Sequence, residues 1–149
     1  MPGTFSNIVL HIIFSTKHRL PQITPDLRPR LYDYLGGCIR GEKGVLYAIG
    51  GMPDHMHLLF RWRNDPSVSD LMRKVKGGSS RWVHETVGVH DFAWQESYAS
   101  FSVSQSAVPD VRSYIKRQEE HHRHRTFKEE YLEFLVKNEI EFDPQYVFD

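Results

Sequence analysis

The chain has 149 residues, 40% of them hydrophobic, which is enough apolar material for one ordinary core and little more than one domain. Its single cysteine, Cys38, excludes a disulfide framework and a zinc site built from several cysteines, and it is typical of a reducing compartment. No apolar run approaches the roughly 20 residues of a membrane-spanning helix, and residues 1–4 have no charged-then-apolar leader pattern. We therefore expect a cytoplasmic protein without a membrane segment.

The formal net charge of zero conceals an uneven distribution of charge along the chain. Residues 126–149 hold two lysines and seven acidic residues, whereas residues 1–125 hold 17 basic and 12 acidic residues. An acidic C-terminal segment thus balances a mildly basic body. Such a body attracts polyanions weakly, so the charge permits nucleic-acid binding without diagnosing it.

Periodicity, caps and turn residues predict four strands and four helices. In chain order these are a strand at 8–16, a helix at 25–41, strands at 45–52 and 55–62, a helix at 68–83, a strand at 94–104, and helices at 108–123 and from 127 onward. The order β-α-β-β-α-β is that of the ferredoxin-like plan, a mostly antiparallel four-stranded sheet with two helices on one face. We therefore expect an α+β, ferredoxin-like fold followed by two further helices.

Local signals mark where these elements begin and turn. Thr24-Pro25 and Ser67 are typical of helix starts, and Thr126 with Glu129 forms a capping-box pattern. Pro53-Asp54 predicts a tight turn between two strands, and hence an antiparallel hairpin. Gly77-Gly78 predicts either a kink in its helix or the close approach of another backbone.

The first candidate for chemistry is His55-Met56-His57, at the start of a predicted strand. Because side chains alternate along a strand, the two imidazoles share one face and Met56 points to the other. Two imidazoles at this spacing can reach one divalent ion, although a complete site usually needs a third ligand. The alternative is that both histidines are merely hydrogen-bonded or half exposed.

The second candidate is a predicted helix that carries Tyr114 and Gln118 one turn apart on one face. Basic residues surround these two positions, so a polar reactive face is one interpretation of the helix. The other is a solvated basic amphipathic helix with a tyrosine packed at its edge, which is the commoner situation for tyrosine.

The third candidate is the basic, small-residue stretch 76–81, which can present donors to phosphate oxygens or simply form an exposed helical face. It lacks the spacing of a Walker phosphate loop. A nucleotide hydrolase of the histidine-triad type is excluded because Leu59 stands where the third histidine of such a strand belongs.

Together these residues resemble the single-tyrosine HUH transposases of the smallest bacterial insertion sequences, which move single-stranded DNA. His55-Met56-His57 resembles the His-hydrophobic-His motif of that family, and 111–118 resembles its nucleophile helix. The stretch 94–103 and Lys76 with Ser79-Ser80 resemble the elements between the two motifs. Glu96-Ser97 departs from the family pattern, in which an acidic residue and a glycine more often precede the tyrosine that stands here as Tyr98. The departure affects only a turn or bulge. The resemblance spans nearly the whole chain and implies one HUH-type transposase domain over residues 1–149.

The resemblance implies a role for each of several residues. Tyr114 is the implied nucleophile, and His55, His57 and Gln118 are the implied ligands of a divalent ion, Mg²⁺ or Mn²⁺. Arg73, Lys76, Ser80, Arg81 and His122 are the implied DNA contacts. The implied reaction cleaves and rejoins single-stranded DNA at hairpin-bearing element ends through a 5′-phosphotyrosine. Relatives work as homodimers in which the nucleophile helix of one subunit completes the metal site of the other, so the resemblance implies a homodimer in the bacterial cytoplasm. The sequence leaves open whether Tyr114 serves its own subunit or its partner.

Two other functions are compatible with part of the pattern. One is a domesticated protein that binds hairpin DNA but no longer transposes, and the other is a ferredoxin-like RNA-binding module. A pure binder has no physical need for Tyr114 and three metal ligands together. An RNA-binding sheet needs central aromatic residues, whereas the strand face shared with His55 offers Leu59 and Arg61.

Overall fold

The computed structural model describes residues 5–118 and 125–148, and the described elements follow the predicted α+β order. The strands are β1 (Ile8–Ser15), β2 (Val45–Met52), β3 (His55–Trp62) and β4 (Ala99–Val103). The helices are α1 (Leu27–Gly41), α2 (Val68–Trp82), α3 (Val108–Lys116) and α4 (Phe127–Lys137). Among the described residues, no helix combines the length and apolar character needed to cross a membrane.

The four strands form one antiparallel sheet in the order β2-β3-β1-β4, which confirms the ferredoxin-like prediction. The hairpin of β2 and β3 turns at Pro53-Asp54, as predicted. In the central pair, Ile13 lies opposite His57 and Ser15 lies opposite His55. Both histidines therefore occupy the middle of the sheet, on a strand that has neighbours on either side.

On the face of the sheet that packs against α1 and α2, β1 and β3 present only apolar side chains. These include Leu10, Ile12, Phe14, Met56, Leu58 and Phe60. These side chains alternate with those of the opposite face, which packs against α3 and α4. The strand residues of that opposite face include Val9, His11, Ile13, His55, His57 and Leu59.

One predicted boundary was too generous: the strand β4 begins at Ala99 rather than at Trp94, because Trp94 makes only an isolated bridge to Thr16. The helix predicted over 108–123 is interrupted, because α3 ends at Lys116, where Arg117 leaves helical geometry at φ −105° and ψ 32°. Gln118 is helical again, and the remainder of that prediction, 119–123, lies outside the described residues. The predicted DNA contact His122 lies outside the described residues.

Several local predictions are confirmed. The Ser67 hydroxyl accepts the backbone N–H of Asp70 at the start of α2, and the capping box of Thr126 and Glu129 opens α4. The helix α2 is continuous through Gly77-Gly78. A Cβ added to Gly78 would lie 3.2 Å from the Tyr34 hydroxyl of α1, which is a side-chain atom, so the predicted close approach of another backbone does not occur at these glycines.

Candidate active site

The strand β3 delivers both histidines of the sequence motif to one buried place. His55 and His57 are completely buried, and their ring centroids lie 5.3 Å apart on the face covered by α3 and α4. The Nε2 atoms of both rings face inward, toward side chains that come from the C-terminal part of the chain. The alternation of the strand thus places two ligand atoms side by side, as the motif suggested.

The helix α4 contributes a third group, Glu130, which is fully buried. Its Oε1 lies 3.0 Å from His57 Nε2 and 3.5 Å from His55 Nε2. One ligand atom from each of the three residues lies within 4.8 Å of the others, which is the spacing of a group able to hold one metal ion. These three residues are called the buried triad below.

Sequence reasoning missed Glu130 because it counted this residue with the acidic C-terminal segment. A signal was nevertheless present. Phe127, Glu130 and Tyr131 stand at positions i, i+3 and i+4 of a helix, so the carboxylate shares the face of two buried aromatic residues. A carboxylate on the buried stripe of a helix needs a partner, and here the partners are histidines.

Gln118, two residues beyond the end of α3, reaches the same place. Its Oε1 lies 3.1 Å from His55 Nε2, and its side chain is buried. The amide Nε2 of Gln118 has no hydrogen-bond partner among the described residues. The side chain therefore presents its oxygen to the site, although the helix break at Arg117 removes the regular i, i+4 relation to Tyr114 on which the prediction rested.

Tyr114 on α3 lies against the buried triad in the same chain. Its ring centroid is 5.9 Å from that of His57. Its hydroxyl donates to Glu130 Oε2 and accepts from Arg125 Nη2. Burial, together with the hydrogen bond to Glu130, raises the pKa of Tyr114 well above its usual value of 10, and the Arg125 guanidinium opposes that rise.

The outer nitrogens of both histidines have partners of their own. Asp54 Oδ1 lies 2.7 Å from His55 Nδ1, and His11 Nε2 lies 2.8 Å from His57 Nδ1. Burial holds the pKa of His11 well below its usual range, and the neighbouring His57 adds to this effect. Each ring of the motif is therefore held at both of its nitrogens.

The donor set fits a divalent ion. Oxygens of Glu130 and Gln118 face the Nε2 atoms of His57 and His55. When a ring carries its proton on Nδ1, its Nε2 lone pair points at these oxygens, and a divalent ion between them would accept all of these donor atoms. His55 faces acceptor oxygens at both nitrogens, because Asp54 occupies the other one. Imidazole with carboxylate and amide oxygens is a set that divalent metals such as Mn²⁺ accept.

A cleft of about 280 Å³ opens beside Tyr114 between α3 and α4. Tyr114 itself lines it, together with His11, Asp110, Val111, Arg125, Glu133, Phe134 and Lys137. The charged side chains of the cleft are balanced, with the acidic Asp110 and Glu133 beside the basic Arg125 and Lys137. The cleft leaves one side of Tyr114 accessible from outside the protein.

Three predicted DNA contacts, Arg73, Ser80 and Arg81, lie on α2, on the other side of the sheet from Tyr114. The Arg73 side chain is exposed and pairs with Asp70 at 3.0 Å. Ser80 is half-buried and Arg81 is exposed. Their contact with DNA stays a prediction.

Lys76, also a predicted DNA contact, is half-buried at the base of a cleft next to Arg73. Its ammonium donates to the carbonyl oxygens of Gln95, Glu96 and Ser97 at 2.5, 3.1 and 3.0 Å. Burial lowers the pKa of Lys76 to about 8. Because an ammonium has three protons, a phosphate contact here would replace one of these bonds.

A family profile and a curated relative both relate this chain to transposases. The sequence profile of the family described as transposase IS200 like matches residues 4–118. The ISDra2 transposase TnpA of Deinococcus radiodurans is 25% identical over 124 residues, which are 78% of this chain and 87% of that protein. The matched segment of the profile ends at Gln118, so α4 and Glu130 lie beyond it.

Two solved structures share the fold. A candidate transposase from Deinococcus radiodurans superposes with a TM-score of 0.63 and 24% identity, covering 79% of this chain and 95% of that one. A REP-associated tyrosine transposase bound to a REP hairpin superposes with a TM-score of 0.62 and 15% identity, covering 82% of this chain and 72% of that one. At these identities the likeness concerns the fold alone.

Proposed function

This chain belongs to the IS200-like transposase family, and we propose that residues 1–149 act as one HUH-type domain that cleaves and rejoins single-stranded DNA at hairpin-bearing ends. The proposal depends on one observation, the position of the Tyr114 hydroxyl. This hydroxyl donates a hydrogen bond to Glu130 of the buried triad. The hairpin bound by one structural neighbour supports hairpin DNA as the substrate.

The proposed reaction is a transesterification on phosphorus. The Tyr114 oxygen attacks the phosphate, the bond from phosphorus to the 3′ oxygen breaks, and the products are a 5′-phosphotyrosine and a free 3′-hydroxyl. Glu130 Oε2 accepts the hydrogen bond of the phenol and takes its proton, the departing 3′ oxygen gains a proton from water, and Glu130 returns its proton to water, so the step balances. Arg125 stabilises the negative charge that develops on the phenol oxygen. A second 3′-hydroxyl reverses the reaction and reseals the strand, so no nucleotide cofactor is needed.

A divalent ion, Mg²⁺ or Mn²⁺, completes the proposed site. His55 and His57 would hold it through Nε2, with oxygen ligands from Glu130 and from Gln118, the third ligand implied by the sequence. When bound, the ion supplies positive charge to the scissile phosphate and to the departing oxygen. The buried side chains of His55, His57 and Glu130 would hold the ion in place and exclude bulk water from it.

The metal ligands can be tested with two glutamates of α4. We expect Glu130→Gln to weaken Mn²⁺ binding at least about tenfold, because a buried anionic ligand becomes neutral. The matched control is Glu133→Gln, since the Glu133 side chain is mostly exposed and lies on the same helix. Binding is measured by isothermal titration calorimetry. Equal affinity of the Glu130 variant and the wild type would remove Glu130 from the ligand set.

We also propose that the nucleophile acts in its own subunit, because Tyr114 and the buried triad meet within one chain. Mixing Tyr114→Phe with His57→Ala protein tests this. Covalent DNA product from the mixture would place the tyrosine of one subunit in the site of another, and absence of product supports action in cis. The homodimer implied by the family resemblance stays a prediction.

The decisive experiment detects the covalent intermediate. Labelled single-stranded hairpin DNA is incubated with protein and Mn²⁺ or Mg²⁺, and the products are separated under denaturing conditions. We expect a protein-DNA band from wild type and from Tyr131→Phe, which changes another buried tyrosine, and none from Tyr114→Phe. If wild type binds several candidate hairpins but never forms a band with either ion, the domesticated hairpin binder becomes the better description.

The RNA-binding alternative is disfavoured by the arrangement of the helices. A ferredoxin-like module of that kind reads bases on an open sheet face. Here α1 and α2 cover one face, and α3 and α4 pack against the other. The aromatic residues of the covering helices are themselves packed, as Phe127 is against His55.

A further inference from the structure

We propose that His11 is a positioning residue that fixes which nitrogen of His57 is available to an ion. The inference rests on the metal site of the proposed function and goes beyond it, because His11 belongs to none of the sequence motifs. It concerns β1, a strand that supplies no ligand itself.

A neutral imidazole carries its single proton on one nitrogen and offers a lone pair on the other. For His57 to bind an ion through Nε2, its proton must be on Nδ1. That proton then needs an acceptor, and the described contact of Nδ1 is His11 Nε2, at 2.8 Å. His11 accepts there only when its own proton is on Nδ1. The tautomer of His11 therefore determines the tautomer of His57.

The sheet holds His11 rigidly in the position that this role requires. His11 is opposite Leu59 and two residues before Ile13, the partner of His57, so the two imidazoles are diagonal neighbours on one face. Their ring centroids lie 5.1 Å apart with an interplanar angle of 26°, so the two rings lie edge to edge and nearly coplanar across the contact between their nitrogens. Phe134 of α4 packs edge-on against the His11 ring at 5.2 Å. Backbone pairing and packing therefore restrict both rings.

The other ligand shows the same design with a different partner. Asp54 Oδ1 lies 2.7 Å from His55 Nδ1, which is the carboxylate–histidine arrangement that orients metal ligands and raises their basicity. Asp54 is partly exposed, whereas only 2% of the surface of His11 is exposed. The two ligands are thus held by unlike partners, a carboxylate at the turn and a buried imidazole inside the sheet.

Two substitutions at one position separate the hydrogen bond from the packing. His11→Phe keeps an aromatic ring against Phe134 but has no acceptor. His11→Gln places an amide oxygen at about the reach of the lost Nε2 and restores an acceptor. The control is His84→Phe, which removes a half-buried histidine in the helical turn after α2, where it is hydrogen-bonded to the Phe92 carbonyl.

The measurement is Mn²⁺ affinity of the full-length protein by calorimetry, with the Co²⁺ absorption spectrum as a second readout of the ligand geometry. We expect His11→Phe to weaken Mn²⁺ binding by about 10- to 100-fold and to alter the Co²⁺ bands. We expect His11→Gln to recover most of the affinity, and His84→Phe to bind as wild type does.

Several outcomes would overturn the inference. Wild-type affinity in His11→Phe would exclude the positioning role, and so would a His11→Gln protein as weak as His11→Phe, because packing alone would then explain the loss. Wild-type protein that binds neither Mn²⁺ nor Co²⁺ would overturn the metal site together with this inference. The covalent-adduct assay separates that result from failure of the tyrosine chemistry.

Discussion

The two faces of the sheet differ in kind although the same strands form both. On the face covered by α1 and α2, β1 and β3 place only apolar side chains, such as Ile12 and Leu58. On the face covered by α3 and α4, the intervening residues include His11, His55 and His57. In the part of the chain that the structure describes, the buried titratable side chains of the sheet all lie on this second face. We call the two the apolar face and the site face.

A small domain can bury several polar side chains on one face of its sheet when those side chains form hydrogen bonds with one another. Desolvation of a polar group is unfavourable unless the group is hydrogen-bonded. On the site face the histidines, Glu130 and Tyr114 satisfy one another, so the cluster is held together as a unit. The apolar face has no such requirement and contributes stability through burial alone. Substitutions on the two faces should therefore affect different measurements.

The largest expected effect is on stability, from the apolar face. Leu58 is fully buried on β3, one residue from His57 but on the opposite side of the strand. We expect Leu58→Ala to lower the free energy of unfolding by about 2–5 kcal/mol, because it leaves a cavity in the core. Urea unfolding measures this loss, and calorimetry at a temperature where the variant is folded should give wild-type Mn²⁺ affinity. A large loss of affinity would show that the faces are coupled.

The next effect is on the position of α3, which carries the proposed nucleophile Tyr114. A Cβ added to Gly50 on β2 would lie 2.6 Å from the carbonyl oxygen of Ile115, the residue after Tyr114, so α3 must move. We expect Gly50→Ala to lower stability by about 1–3 kcal/mol and to reduce covalent DNA product strongly. Gly37→Ala is the control, because nothing lies within 4 Å of its added Cβ. It should keep full activity and gain up to about 1 kcal/mol in α1.

The smallest effect is a pH dependence of stability that comes from a tyrosine on the site face. Burial raises the pKa of Tyr131 on α4 to about 12. Between pH 10 and 12 the unfolded chain loses this phenol proton while the folded chain keeps it, so stability falls as pH rises through that window. Tyr131→Phe should be less sensitive by about 1 kcal/mol at pH 11, measured by urea unfolding against pH 8. The exposed Tyr146→Phe should follow wild type.

The order of elements and the pairing of histidines on one face were determined by the sequence itself. The bounds of β2 and β3, the turn at Pro53-Asp54 and the capping box at Thr126 all agree with their local patterns. These features depend on backbone sterics and on hydrogen bonds between residues a few positions apart. Such forces are already present in a short segment, and a short segment therefore predicts them.

The membership of the site was decided only by the tertiary structure. His57 and Glu130 are 73 positions apart and His57 and His11 are 46 apart, yet each pair lies at hydrogen-bond distance. No local pattern specifies where along the sheet α4 packs, because that position results from the packing of many side chains at once. The long-range contacts are therefore a property of the assembled core, in which a residue counted as part of an acidic tail becomes a buried carboxylate facing two imidazoles.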